Sequence, residues 1–191
     1  MKKLDLLKLL LIYIGLFVIG TAAYIFSFRT FLLGNISVFF YRGIALILLW
    51  GAIVALIMTA LKLLHFKRLI TVRDILLLLC AFCCINVVIF THLPTTADRS
   101  ITVFMLGYIA GDESVSYTKQ ELETVFADKY INEYDAFGKR LQEQIVTGTI
   151  EKTSDGRYRI TDKGKSLIAI YDKITDWFLI DKKLVHPDVA K

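Results

Sequence analysis

Few residues in this chain have types and spacing suited to chemistry. The third apolar stretch holds Cys80-x-x-Cys83-Cys84, and the histidines are His65, His92 and His186. Spacing at i, i+3 and i+4 places the three thiols on one helical face, where thiolates would bind a soft metal. No facing cysteine or histidine stands in the other apolar stretches, and a thiol inside hydrocarbon resists ionisation. The expected role of the three cysteines is therefore small-residue packing between helices. There is no serine-histidine-aspartate set, no metal-ligand spacing and no glycine-rich phosphate loop. What remains is a polar cluster, His92, Asp98 and Arg99, within Thr91 to Phe104. It could hold a lipid headgroup or anchor a partner; equally, Pro94 would end one helix and Asp98 cap the next. No catalytic residue, cofactor or metal is expected.

That cluster lies where the composition changes. The chain has 191 residues, 55% of them hydrophobic, and a formal net charge of +5. Residues 1–90 hold nine Lys/Arg and two acids; the remainder holds fourteen and sixteen, a net of −2. The basic balance therefore belongs to a membrane half and not to a nucleic-acid-binding surface. Leu6 to Phe28, Gly43 to Leu64 and Asp74 to about His92 are each close to the ~20 helical residues that cross a bilayer. The first resembles a signal peptide in its Met1-Lys2-Lys3 start, but its apolar run continues past Gly20-Thr21-Ala22-Ala23, so an uncleaved span is expected. Gly51, Ala52, Ala55 and Ala60 suggest helix contacts in the second span. No Asp, Glu, Lys or Arg sits mid-span, which argues against ion or proton translocation; Arg42, at a membrane edge, reads as a snorkelling side chain.

Lysine and arginine in the short loops set the orientation. Lys2, Lys3, Lys8, Lys62, Lys67, Arg68 and Arg73 fall on one side, and Arg29, Arg42 and Arg99 on the other. The expectation is a multi-pass inner-membrane protein with its N-terminus in the cytoplasm and its C-terminal half outside.

The second half reads as a small α+β domain. Ser100 to Ala110 is too short to span and reads as a buried helix. Thr118-Lys119-Gln120-Glu121 is a capping box for a helix ending near Tyr130. A further helix from Glu133 to Gly148 carries Tyr134, Phe137, Leu141 and Ile145 on its buried stripe, with Asp135, Ala136, Lys139, Arg140 and Glu143 outward. Ser154-Asp155-Gly156 turns a hairpin between Ile150 and Tyr158-Arg159-Ile160. Thr161-Asp162 then caps a last helix with Leu167, Ile170, Tyr171, Ile174, Trp177 and Phe178 at helical spacing. The plain reading makes this helix part of the core; the sharper one docks its Trp177 to Ile180 edge, followed by Lys182-Lys183, on the bilayer or a partner. The overall expectation is a mainly α protein: residues 1–92 a three-helix transmembrane domain, 93–99 a juxtamembrane hinge, 100–185 the soluble domain and 186–191 a tail.

The element order, and the run Gly156-Arg157-Tyr158-Arg159-Ile160-Thr161-Asp162-Lys163-Gly164-Lys165 before an apolar helix, resembles the winged-helix domains of bacterial transcription regulators. Tyr158, Thr161, Lys163 and Gly164 match the tyrosine-x-leucine-threonine-x-lysine-glycine sequence with which the wing commonly ends, and Ile160 replaces its leucine. The resemblance implies DNA binding by the helix of residues 133–147, with the wing on the backbone. The outward face of that helix, with two bases against two acids, departs from this, because affinity for DNA needs net positive charge. Arg157 and Arg159 leave the domain net negative. The leading expectation is thus a non-enzymatic membrane protein whose extracytoplasmic winged-helix-like domain is a protein-interaction module or accessory subunit of a cell-envelope complex. The bilayer and a protein are its expected partners, homo-oligomerisation is compatible, and nucleic acid is not expected. Two alternatives stand beside it: a membrane-tethered transcription regulator with a cytoplasmic domain, and a lipid-headgroup-handling enzyme or transport subunit using the hinge.

Overall fold

The structure, a computed structural model, describes residues 3–112 and 114–187. Glu113 and the end of the expected tail lie outside the described residues. The chain is mainly helical, with one two-stranded sheet, and divides into two compact units, Met1–Leu106 and Gly107–Lys191.

The first unit is built on α1 (Lys3–Ser27), α2 (Phe39–Leu64) and α3 (Val72–His92), three helices long and apolar enough to cross a membrane. Its core is an inner seam of Leu46, Ile47, Val54 and Met58 from α2 against Leu78, Phe82 and Phe90 from α3. Leu10, Leu48, Leu56 and Leu77 point outward, as apolar residues do where the surroundings are hydrocarbon. Glycines set the approach of the helices. A Cβ on Gly20 would stand 2.7 Å from Val54, and one on Gly51 2.9 Å from the Cys83 sulfur. At Gly43 it would stand 2.0 Å from the Phe90 ring. Gly51 is thus a contact residue as expected from the small-residue pattern, whereas Ala52 and Ala60 face outward.

Several polar groups inside the seam are paired across helices. Asn86, fully buried, donates through Nδ2 to Thr21 Oγ1 at 3.1 Å and to the Phe82 carbonyl at 2.9 Å. Trp50 Nε1 donates to Ser27 Oγ at 2.8 Å, and the Tyr13 hydroxyl donates to the Asp74 carbonyl at 2.8 Å. Asp74 also closes a capping box at the start of α3, accepting from the Thr71 N–H at 2.8 Å.

Arg42 does more than snorkel. Its guanidinium donates to the Thr30 carbonyl at 2.7 Å and to the Leu32 carbonyl at 3.0 Å, and lies over the Phe28 ring. It thereby closes the turn between α1 and α2, whose Leu33 has a φ of 52°. Arg42→Ala is expected to lower the midpoint of thermal unfolding in detergent by the equivalent of about 1–3 kcal/mol, the value of hydrogen bonds to a charged group. Lysine there should restore only part of the loss, since one ammonium cannot reproduce the planar fork.

As expected, α3 ends just before Pro94, but Pro94 does not stop the helical path. It opens α4 (Pro94–Arg99) as its first residue, a position where the missing N–H leaves no bond broken. α5 (Ile101–Ala110) follows after Ser100, and the boundary between the units falls within it. The expectation that this apolar helix is buried is overturned: Ile101, Val103 and Leu106 are all exposed. With apolar residues on every side, no single face can be covered by one neighbour.

In the second unit, Thr118 and Glu121 form the expected capping box at α6 (Lys119–Val125). The Thr118 N–H, and after it the hydroxyl, hold the Glu121 carboxyl below its usual range. This contribution is present at neutral pH and is lost as pH falls through the lowered value. A π-helical stretch, Phe126–Glu133, continues from α6, and Asp135 takes a left-handed conformation with φ 48°. The next helix, α7, consequently runs Ala136–Thr147 and not from Glu133, and ends on left-handed Gly148. Tyr134 and Phe137, expected on its buried stripe, are exposed, while Leu141 and Ile145 are half-buried. Strands β1 (Ile150–Lys152) and β2 (Tyr158–Ile160) pair antiparallel, with Glu151 opposite Arg159 and Gly156 supplying the positive φ of the turn. Thr161 caps α8 (Asp162–Phe178), accepting from the Gly164 N–H at 3.1 Å.

Candidate functional site

The hinge residues stand on consecutive helical turns. His92, exposed, has Nδ1 3.0 Å from the Val88 carbonyl and 3.1 Å from Thr91 Oγ1. Asp98 reaches Arg99 at 4.0 Å, and the hydroxyl that caps α5 is that of Ser100, accepting from the Val103 N–H at 3.2 Å. A shallow cleft of about 280 Å³ opens among Thr95, Thr96, Arg99 and Ser100. The Thr95 hydroxyl is buried without a hydrogen-bond partner among the described residues. His92 and Asp98 do not line this cleft, so the structure does not bring the three expected hinge residues into one site.

The outward face expected of α7 is only partly outward. Asp135 and Lys139 are exposed. Glu143, expected to be exposed, is 8% accessible and accepts from Arg140 Nη1 through both carboxylate oxygens, at 2.7 and 2.9 Å. A carboxylate three residues after an arginine lies one turn along the same side of the helix, and the pair folds down together. The two arginines of the hairpin are also engaged within it: Arg159 with Glu151, and Arg157 with Asp155 at 3.4 Å. Glu143→Ala is expected to cost about 1–2 kcal/mol of stability. That is less than the loss of one partner of a fully buried pair, because the Arg140 side chain keeps 28% of its surface in water. Urea unfolding of the chain in mild detergent, followed through an ultraviolet signal of the second unit, measures it.

No family model, curated protein or solved structure matches the chain. The chemistry must be read from its own residues.

Among the described residues of the second unit, the most exposed apolar surface is the end of α8. Trp177 and Phe178 are 75% and 70% exposed, and Leu179 beyond them 92%. The plain expectation of a core helix is therefore corrected at this end; only Leu167 and Ile174 of its apolar set are even half-buried. Lys182 bonds to Asp176 at 2.8 Å and reaches Asp172 at 3.7 Å, and these carboxylates, Asp176 first, hold its ammonium above the usual range.

Two features escaped the sequence reading. One is the buried Asn86, whose carbonyl oxygen has no partner; an asparagine amid an apolar span was its only signal. The other is an open cleft of about 580 Å³ between Tyr108 and Tyr117 and the first turns of α6, lined also by Glu121 and Thr124. The capping box marked the helix start there but not the aromatic pair, whose rings are 5.3 Å apart. As for the thiols, Cys83 packs into the seam and Cys80 and Cys84 lie exposed on α3.

Proposed function

We propose that this chain is a non-enzymatic multi-pass membrane protein whose C-terminal unit is a winged-helix-like protein-interaction module on the outer side of an inner membrane. Three helices suited to spanning a bilayer supply the anchor. The winged-helix reading is supported by the order α6, α7, β1-β2 hairpin and α8, with Thr161 and Gly164 at the junction of wing and helix.

The observation that carries the reading away from DNA is the engagement of Arg140, Arg157 and Arg159 with Glu143, Asp155 and Glu151. Exposed ion pairs are weak and a phosphate can displace them. Displacement here, however, leaves the acid beside the phosphate, in a domain already net negative, so few counterions are released for each contact. Such a surface suits a protein whose charges interdigitate with it. Asp135 and Lys139 on α7 and the wing arginines are its contact residues, in an accessory subunit of an envelope complex. The excess of lysine and arginine beside Lys8 and in the α2–α3 loop supports the outer location.

A pair of fusions at Lys191 tests this: alkaline phosphatase active and a cytoplasm-dependent fluorescent protein dark supports it. The opposite result supports the tethered transcription regulator, and a gel shift of duplex DNA at low salt by the detergent-solubilised chain would then establish that reading. The hinge cleft favours a second use, in which the Thr95 hydroxyl and Arg99 hold an anionic headgroup. Arg99→Ala would then release phospholipid that co-purifies with the unsubstituted chain.

A further inference from the structure

The aromatic end of α8 has apolar surface that no described residue of its own unit covers. Ile170, Ile174 and Trp177 recur at i, i+4 and i+7, and Tyr171, Ile174 and Phe178 at i, i+3 and i+7, so the two rings extend one stripe along the helix. Gly164 and Thr175, which are buried, mark the packed side of α8; Tyr171 and Phe178 stand at its border, and Ile170 and Trp177 lie farther round the helix. Ile170 and Tyr171, at 55% and 49% exposure, continue the open edge toward the middle of the helix.

Leu179 then takes a left-handed conformation, φ 52°, with its N-terminal helix closed by the Ile180 N–H on the Thr175 carbonyl at 3.0 Å. A leucine there is strained relative to glycine, and the turn it makes caps the helix while leaving its side chain fully exposed.

Lysines flank the edge: Lys173 one turn before Trp177, and Lys182 and Lys183 after Ile180. Asp172, Asp176 and Asp181 balance them, and Lys182 is drawn over the first two. The acids that would otherwise meet anionic headgroups are thus matched locally, leaving no net charge for attraction or repulsion.

We propose that Trp177, Phe178, Leu179 and Ile180 insert into the surface of the same bilayer that α1, α2 and α3 cross, holding the second unit against the membrane. Tryptophan beside phenylalanine and leucine, with lysines at the rim, is the composition of an interfacial anchor. A bilayer is also the one apolar partner that every copy of the chain carries with it, since the spans keep it at a high effective concentration. The balanced charge makes the insertion apolar in origin and insensitive to the content of anionic lipid. The proposal rests neither on the side of the membrane nor on the protein-interaction reading.

Emission from Trp177 tests it in the full chain reconstituted into liposomes. The spectrum of Trp177 is taken as the difference between the unsubstituted protein and Trp177→Phe, which leaves Trp50 and its bond to Ser27 untouched. Rings seated ~5–10 Å into the headgroup boundary emit to the blue and lie within reach of shallow bromines, so brominated phosphatidylcholine should remove roughly half of the difference signal. The loss should be the same with and without anionic lipid. Leu179→Asp should return the emission to the red and abolish the quenching. A red, acrylamide-quenched difference signal that ignores brominated lipid overturns the proposal. So does a blue signal that ignores the bromines and weakens on dilution of protein in lipid, which would assign the edge to a second copy of the chain.

Discussion

Gly43→Ala is expected to destabilise the membrane half strongly. The new methyl group would sit 2.0 Å from Phe90 Cζ and within 2.6 Å of two further ring atoms, well inside contact distance. A ring at the surface would swing aside. Phe90, however, is 1% exposed and hemmed by Phe28, Phe39 and Phe40, with ring centroids at 5.9, 5.4 and 6.0 Å, and by Tyr24 at 6.4 Å. Relief therefore demands that α2 and α3 separate, or that the whole aromatic cluster repack. Overpacking of this kind costs about 1–3 kcal/mol where neighbours yield, and more where they do not. Thermal aggregation of the detergent-solubilised protein should begin several degrees lower, and Phe90→Ala in the same chain should recover part of the loss by vacating the space. If Gly43→Ala alone melts like the parent, the close crossing of α2 and α3 is wrong.

Gly164→Ala is the corresponding expectation for the second unit. Its Cβ would lie 2.2 Å from the Thr149 carbonyl oxygen and 2.7 Å from Ile160. Here the obstacle is backbone, which has no rotamer to change. The Thr149 carbonyl is also occupied, accepting from the Thr161 N–H at 3.1 Å, so moving it breaks the joint between hairpin and helix. Loss of about 3 kcal/mol or more is expected. It should show as accelerated proteolysis between Thr149 and Lys165, while the membrane half keeps its protease resistance. That contrast separates a local effect from a general failure to insert.

How much of this could be read from residue order depends on which physics was local. Length and apolar content alone specify three spans, because a bilayer has a fixed thickness. Thr118 with Glu121, and Asp155-Gly156 between two short apolar pieces, are also local, and the capping box and the hairpin lie where those residues put them. Gly148 closes α7 for the same reason. Burial was less legible, because it depends on what lies across from a helix. Glu143 sits on the face that periodicity assigns to solvent, yet its carboxylate is sheltered with Arg140. Phe137 and Trp177 sit on faces that periodicity assigns to a core, and are open. Amphipathic spacing identifies which side of a helix is apolar; it does not tell whether this chain or something else covers that side. The π-helical stretch from Phe126 to Glu133 had no signal at all, and it moved the start of α7 by three residues.

Among the described residues, two of the three side-chain cross-links of α1, those at Tyr13 and Thr21, join it to α3, at Asp74 and Asn86. A nascent chain arrested after its second span would thus lack both, with the bond from Trp50 to Ser27 as the remaining polar link between α1 and α2. Biogenesis of the bundle has an obligatory last arrival. Quality-control proteases should clear a product truncated at Leu64 far faster than one truncated at Arg99, although both hold enough greasy helix to lodge in lipid.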